Sequence, residues 1–258
     1  MGTSKTGTTF LQHRIFQHFK GVHYLKGKRN RKAIPIIQKG EHSRYLLSDE
    51  FDRQFEEEVA NFGRLFPQTR PIIVFRRHDS YIASQYRRFV KNGYTGSFTE
   101  FFDLGTDQGY CKIKHLDYSF QIEYLQKHFQ GVPIVLIYED LRADPLKFIQ
   151  ELAEALSVEV DPAKSNLNKK HTSYNEKQLK GIKALGRYIN YRKRRVFKNG
   201  VLHFFWRLYM GAVRYSTLFI LKQLPESFFP KEPLIAPEEL QAVQAYFAKD
   251  WEQTKLYA

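Results

Sequence analysis

The chain has 258 residues, 42% of them apolar and 16% aromatic, with only 15 glycines. That composition excludes a disordered or fibrous protein, and the length suits one large α/β domain or two smaller ones. Forty-one Lys and Arg against 27 Asp and Glu leave a formal charge of +14, which attracts polyanions (nucleic acid, anionic glycan, nucleotide phosphate, acidic lipid) without choosing among them.

Cys111 is the single cysteine, so the chain can form no internal disulfide and no multi-cysteine zinc site. Cysteine poverty favours a reducing compartment, and the opening residues carry neither the positive nor the apolar region of a signal peptide. The expected localisation is cytoplasmic.

In chain order, Gly2-Thr3-Ser4-Lys5-Thr6-Gly7-Thr8-Thr9 comes first, and Phe10, Leu11, Ile15, Phe16 and Phe19 then recur at helical spacing, which predicts a helix over residues 8–20. Tyr45-Leu46-Leu47-Ser48 reads as a short strand. Pro71-Ile72-Ile73-Val74-Phe75 and residues 132–138 are continuous apolar runs, the pattern of strands buried on both faces of a parallel sheet. Asp144 as N-cap and Pro145 at the first helical position predict a helix through Ala155. This alternation predicts an α/β fold with a parallel sheet. Residues 177–224 read as helical, basic at first and then aromatic, and residues 237–252 as a closing amphipathic helix. Within 177–200 stand nine basic residues and no acid. His203, Arg207, Arg214 and Lys222 interrupt the apolar stretch 201–224, which is therefore no convincing membrane span.

Glycines that turn a backbone into the start of a helix aim N–H groups at an anion, and the helix dipole adds partial positive charge there. The first segment has this form but is no Walker A loop, since Thr8 rather than Lys follows Gly7 and the lysine stands earlier, at Lys5. The strand ending at Phe75 delivers Arg76 to its carboxyl end, where α/β proteins bind ligands, and Ser84 follows on the next helix. An arginine and a serine there suit a second phosphate.

Together these segments resemble the sulfotransferases that use 3′-phosphoadenylyl sulfate (PAPS). Lys5-Thr6-Gly7-Thr8-Thr9-Phe10 is similar to their 5′-phosphosulfate loop, Arg76 and Ser84 have their Arg-x7-Ser spacing for the 3′-phosphate, and Tyr138-Glu139-Asp140-Leu141 before Asp144-Pro145 is similar to their Tyr-Glu-Asp-Leu segment. The matches lie in family order within residues 1–175. The resemblance is nearest to bacterial carbohydrate sulfotransferases, through Asn168-Lys169-Lys170-His171, which stands where the family has an Arg-Lys-Gly loop and brings Lys169 and Lys170 in as candidate 3′-phosphate ligands. It implies a P-loop-type parallel sheet flanked by helices over residues 1–175, with a basic and aromatic helical region, 176–258, packed on it. It also implies an apolar first strand upstream of the loop, which this sequence does not contain, and a lower stability for the chain without it.

The activity implied is transfer of a sulfuryl group from PAPS to an acceptor hydroxyl, releasing adenosine 3′,5′-bisphosphate (PAP), with no metal. Lys5 would neutralise the leaving oxygen, Thr6, Gly7, Thr8 and Thr9 would hold the 5′-phosphate, and Tyr138 would lie along the nucleotide. Glu50, ending the segment begun by Tyr45, matches the family's base position, with Asp49 and His42 as reserves. His13 and His18 share no helical face, so they form no expected metal pair. The implied acceptor is a carbohydrate, either a glycan or a glycolipid, and no specific nucleic-acid partner is expected. A P-loop nucleotide kinase and a non-enzymatic polyanion-binding protein are the alternatives. The basic and aromatic region is expected either to pack as core or to touch an anionic membrane peripherally.

Overall fold

A computed structural model describes residues 5–27, 30–51, 54–160, 174–191 and 195–258. The expected strand ahead of the loop, and Lys169 and Lys170, lie outside these. The described residues are a mixture of helices and short strand pairs, two parallel and one antiparallel, and the chain divides into two compact units. Sequence reasoning divides it at 175/176, where composition changes, whereas each unit draws on separate segments: Met1–Tyr81, Lys114–Lys169 and Gln244–Ala258 in one, Ile82–Ile113 and Lys170–Val243 in the other.

The first unit is built on β4 (Ile72–Phe75) and β5 (Ile134–Ile137), parallel and in register from Ile72 opposite Ile134 to Phe75 opposite Ile137. Successive strand side chains point to opposite faces, so Ile73, Phe75, Val135 and Ile137 face one core and Val74 and Leu136 the other. The first core is closed by α3 (Phe55–Leu65) and α6 (Tyr118–His128) through Val59, Phe62, Tyr118, Ile122 and Leu125. These two helices approach so closely that a Cβ at Gly63 would stand 2.6 Å from the His128 carbonyl oxygen. The second core is closed by Leu11, Ile15, Phe16 and Leu46 and by α8 (Pro145–Ala155), whose Phe148, Ile149 and Leu152 point inward. Burial on both faces is why the two strands read as unbroken apolar runs. The expected α8 is present with its cap, Asp144 accepting from the Lys147 amide.

Several boundaries differ from expectation. Residues 8–20 form no uniform helix: α1 (Thr8–Phe10) passes into a π turn at Leu11–Ile15 and a 3-10 turn at Phe16–His18. It ends because β1 (Phe19–Lys20) pairs antiparallel with β6 (Glu159–Val160). Tyr138 leaves its strand to open α7 (Tyr138–Ala143). β2 (His23–Tyr24) pairs in parallel with β3 (Tyr45–Leu46), and α2 (Asn30–Gln38) lies between them in sequence.

The second unit takes most of α4 (His78–Lys91), together with α5 (Phe98–Phe101), α9 (Glu176–Leu185), α10 (Gly200–Gln223) and most of α11 (Pro237–Tyr246). Tyr86 is fully buried there, donates to the Gly96 carbonyl at 2.8 Å and accepts from Lys183 Nζ at 2.8 Å. The helix expected over 177–224 is two helices: α9 is opened by a capping box between Asn175 and Gln178, and α10 by Asn199, whose side chain accepts from the Val201 and Leu202 amides. The closing helix is likewise divided, α11 giving way at Phe247 to α12 (Ala248–Lys255), which returns to the first unit. Phe247 is turned inward against His78, their rings parallel and 4.4 Å apart.

Candidate functional site

Four segments meet at the carboxyl ends of β3 and β4, all within the first unit. Gly7 stands at φ 81° as the N-cap of α1, a backbone that favours glycine. A Cβ there would also lie 2.7 Å from Leu141 and 3.2 Å from the Tyr138 ring, so the loop is pressed directly onto α7. Lys5 is exposed, and its φ of 82° is uncommon for a side-chain-bearing residue. Thr6 and Thr8 are buried and Thr9 is exposed.

Thr8 Oγ1 donates to Glu50 Oε1 at 2.6 Å, which attaches the carboxylate ending the β3 segment to the loop. Asp49 sits behind it, accepting from the Glu50 amide at 2.9 Å and the Asn30 amide at 3.3 Å. His42 precedes the amino end of β3 and stacks on His23 with ring centres 3.9 Å apart, so the structure places this reserve base at the opposite end of the strand from Glu50.

Arg76 stands just past β4. Its Nη1 donates to the Lys5 carbonyl at 3.1 Å, and its guanidinium lies over the Tyr138 ring, 4.7 Å from the centroid. Burial lowers its pKa from the ordinary value, against the opposing pull of Tyr138 and Glu139. Its Nε donates to Ser80 Oγ at 2.8 Å. The serine bonded to Arg76 is Ser80, one helical turn in, and Ser84 follows four residues later on α4. The neighbouring Arg77 is engaged with Asp79 through Nε at 2.7 Å and Nη2 at 2.9 Å, and its amide donates to Glu139.

Sequence reasoning missed the residues that support Arg76. Tyr118 Oη donates to the Arg76 carbonyl at 2.7 Å, and complete burial raises the phenol well above its ordinary pKa. Asp250 of α12 accepts from the amides of Tyr118 and Ser119, from Ser119 Oγ at 2.6 Å and from His78 Nε2 at 2.9 Å. His78 Nε2 also faces the Leu116 carbonyl, so with two acceptors that nitrogen carries the proton. An aspartate 172 positions away from its histidine leaves no local signal that could have revealed the pair.

Among the described residues, no group of three His, Cys, Asp or Glu side chains is placed to hold a metal ion. The site instead gathers cations and hydroxyls (Lys5, Arg76, Thr8, Ser80) beside one carboxylate and one aromatic face, a donor set suited to a phosphorylated or sulfated ligand. No protein-family model matches the chain, and no curated protein matches its sequence.

Proposed function

We propose that the protein is a sulfotransferase that moves a sulfuryl group from PAPS to an acceptor hydroxyl, on a P-loop-type sheet completed around β4 and β5. The observation that carries this reading is the position of Arg76, which holds the Lys5 carbonyl while lying over Tyr138. Three segments matched separately to one family's nucleotide site thereby adjoin one another. The donor set fits the ligand: a nucleotide with two separate phosphates needs two cationic stations and an aromatic surface, and Lys5, Arg76 and Tyr138 supply them.

In the reaction the acceptor oxygen bonds to sulfur, the bond from sulfur to the 5′-phosphate oxygen breaks, and PAP departs. Lys5 offsets the charge that develops on that leaving oxygen. Glu50 takes the acceptor's proton. Thr8 links the two events, because its hydroxyl has a single proton and cannot donate to Glu50 and to a phosphate at once. Donor binding that draws the Thr8 proton onto the phosphate leaves Glu50 able to act as base. Carbohydrate is the acceptor class proposed, on the resemblance and on the +14 charge, which suits an anionic polymer. The proposed setting is the cytoplasm.

Calorimetry with PAP, AMP and ATP–magnesium is the test. PAP should bind at micromolar strength or better, at least about tenfold tighter than AMP and without divalent metal, since an extra phosphate on Arg76 adds a charge-assisted contact. Ser80→Ala should weaken PAP more than Ser84→Ala, whereas the reverse order would restore Ser84 as the ligand. Equal affinity for AMP and PAP would remove the second phosphate station, and preference for ATP–magnesium would favour a kinase.

A further inference from the structure

We infer that α10, with Arg195 and Lys198 just ahead of it, forms a docking face for an anionic lipid surface. The helix has two distinct sides. Met210, Arg214, Leu218 and Leu221 are buried: Leu218 and Leu221 meet α9, where Gln178 Nε2 donates to the Leu218 carbonyl at 2.8 Å and Gly181 abuts Leu221, and Arg214 donates to Asn92 Oδ1 at 2.7 Å. The other side is apolar as well, yet exposed. Val201, Phe204, Phe205, Leu208, Tyr215 and Phe219 recur at spacings of three, four and seven, with between 50% and 66% of their surface open. At 1.5 Å per residue this stripe is about 27 Å long. A helix apolar on all sides is normally buried, and a continuous exposed patch of this kind marks a contact surface.

Charge identifies the occupant. From residue 177 to residue 225 the sequence holds no Asp or Glu, and although Arg214 is buried and Lys183 is held by Tyr86, the stretch beside the exposed stripe stays basic. Arg195 and Lys198 stand exposed just before the helix, and Arg207 is exposed among the aromatics. No helix among the described residues is long and apolar enough to cross a membrane. A second copy of the chain is disfavoured, because a symmetric contact would bring two like-charged basic runs together. A dry protein groove would require an acid for Arg207. A bilayer interface takes the rings at headgroup depth, lets Arg207 extend to the phosphates, and adds about 1 kcal/mol for each basic residue near an anionic surface. The surface is that of a helix lying in the interface.

Flotation of the full chain with vesicles of phosphatidylcholine, alone or containing phosphatidylserine, reads this directly. The protein should float with the anionic vesicles at low salt and not with the neutral ones. Arg195→Glu with Lys198→Glu, and separately Phe204→Ser with Phe205→Ser and Leu208→Ser, should each reduce binding at least about tenfold. All five positions are exposed, so melting temperatures should stay near the parent's, which separates lost docking from lost folding. Retention in the soluble fraction with anionic vesicles overturns the inference. So does undiminished binding by the aromatic variant, which would reduce the effect to charge adsorption. A dimer by light scattering that the aromatic variant converts to a monomer would assign the stripe to a second copy instead.

Discussion

Glu50 and Lys5 have separable tasks in the proposed reaction, and each can be removed without disturbing the core, because both side chains are exposed. Glu50→Gln keeps an acceptor for the Thr8 hydroxyl but cannot take a proton, so turnover of PAPS should fall by about 10²-fold with PAP affinity unchanged. Lys5→Ala should lower both turnover and PAP affinity, the former by about 10²-fold or more, through loss of the cation at the leaving oxygen. Steady-state kinetics alongside calorimetry distinguishes the two patterns. Wild-type turnover by the Glu50 variant would move the base to Asp49, the carboxylate directly behind it.

At the scale of elements, the last helix bears on the site from a distance. Asp250 ties α12 to the first amides of α6 and to His78 at the start of α4, and these neighbours hold the Arg76 carbonyl through Tyr118. Burial alone would raise the Asp250 pKa, but hydrogen bonds from His78, the Ser119 hydroxyl and two amides outweigh it and hold the carboxyl below its ordinary value. The folded state therefore favours the ionised form. This stabilisation is fully present above the ordinary carboxylate pKa of about 4 and is lost as pH falls through the lower folded value. Asp250→Asn should cost about 2–3 kcal/mol near pH 7, since one amide cannot replace four accepted bonds, and lower Tm by roughly 5–10 °C. The deficit should shrink as pH falls through the lowered folded value, where the parent loses the same charge. An equal Tm for the two proteins at pH 7 would show that the network does not hold α12 in place.

Across the whole molecule, the excess of positive charge governs which polymers the protein meets. Binding to a sulfated glycan such as heparin should be strong at low ionic strength and largely lost by about 1 M salt, where the Debye length falls to about 3 Å. Uncharged dextran should not be retained. Chromatography on both supports gives the comparison, and salt-insensitive retention would point to specific sugar contacts in place of the general field.

Much of the local structure was legible because its causes are local. Apolar continuity marked β4 and β5, Asp144-Pro145 marked the start of α8, and the loop from Lys5 to Thr9 followed from glycine placement before a helical period. Where tertiary contacts compete with periodicity, the reading failed: strand pairing cuts short the helix after the loop, and Phe247 breaks the closing helix by turning inward to His78. The candidate site residues could be picked out one by one, but not the hydrogen-bond partner of each, so the contact of Arg76 with Ser80 could not be read from spacing. The sequence by itself determined the charge, the central strands β4 and β5 and the kinds of side chain in the candidate loop. Only the tertiary structure decided that Glu50 bonds to Thr8, that Asp250 supports the Arg76 segment and that the aromatic side of α10 is exposed. Such contacts join residues tens to hundreds of positions apart, and burial is a property of the packed chain that no local run of residues encodes.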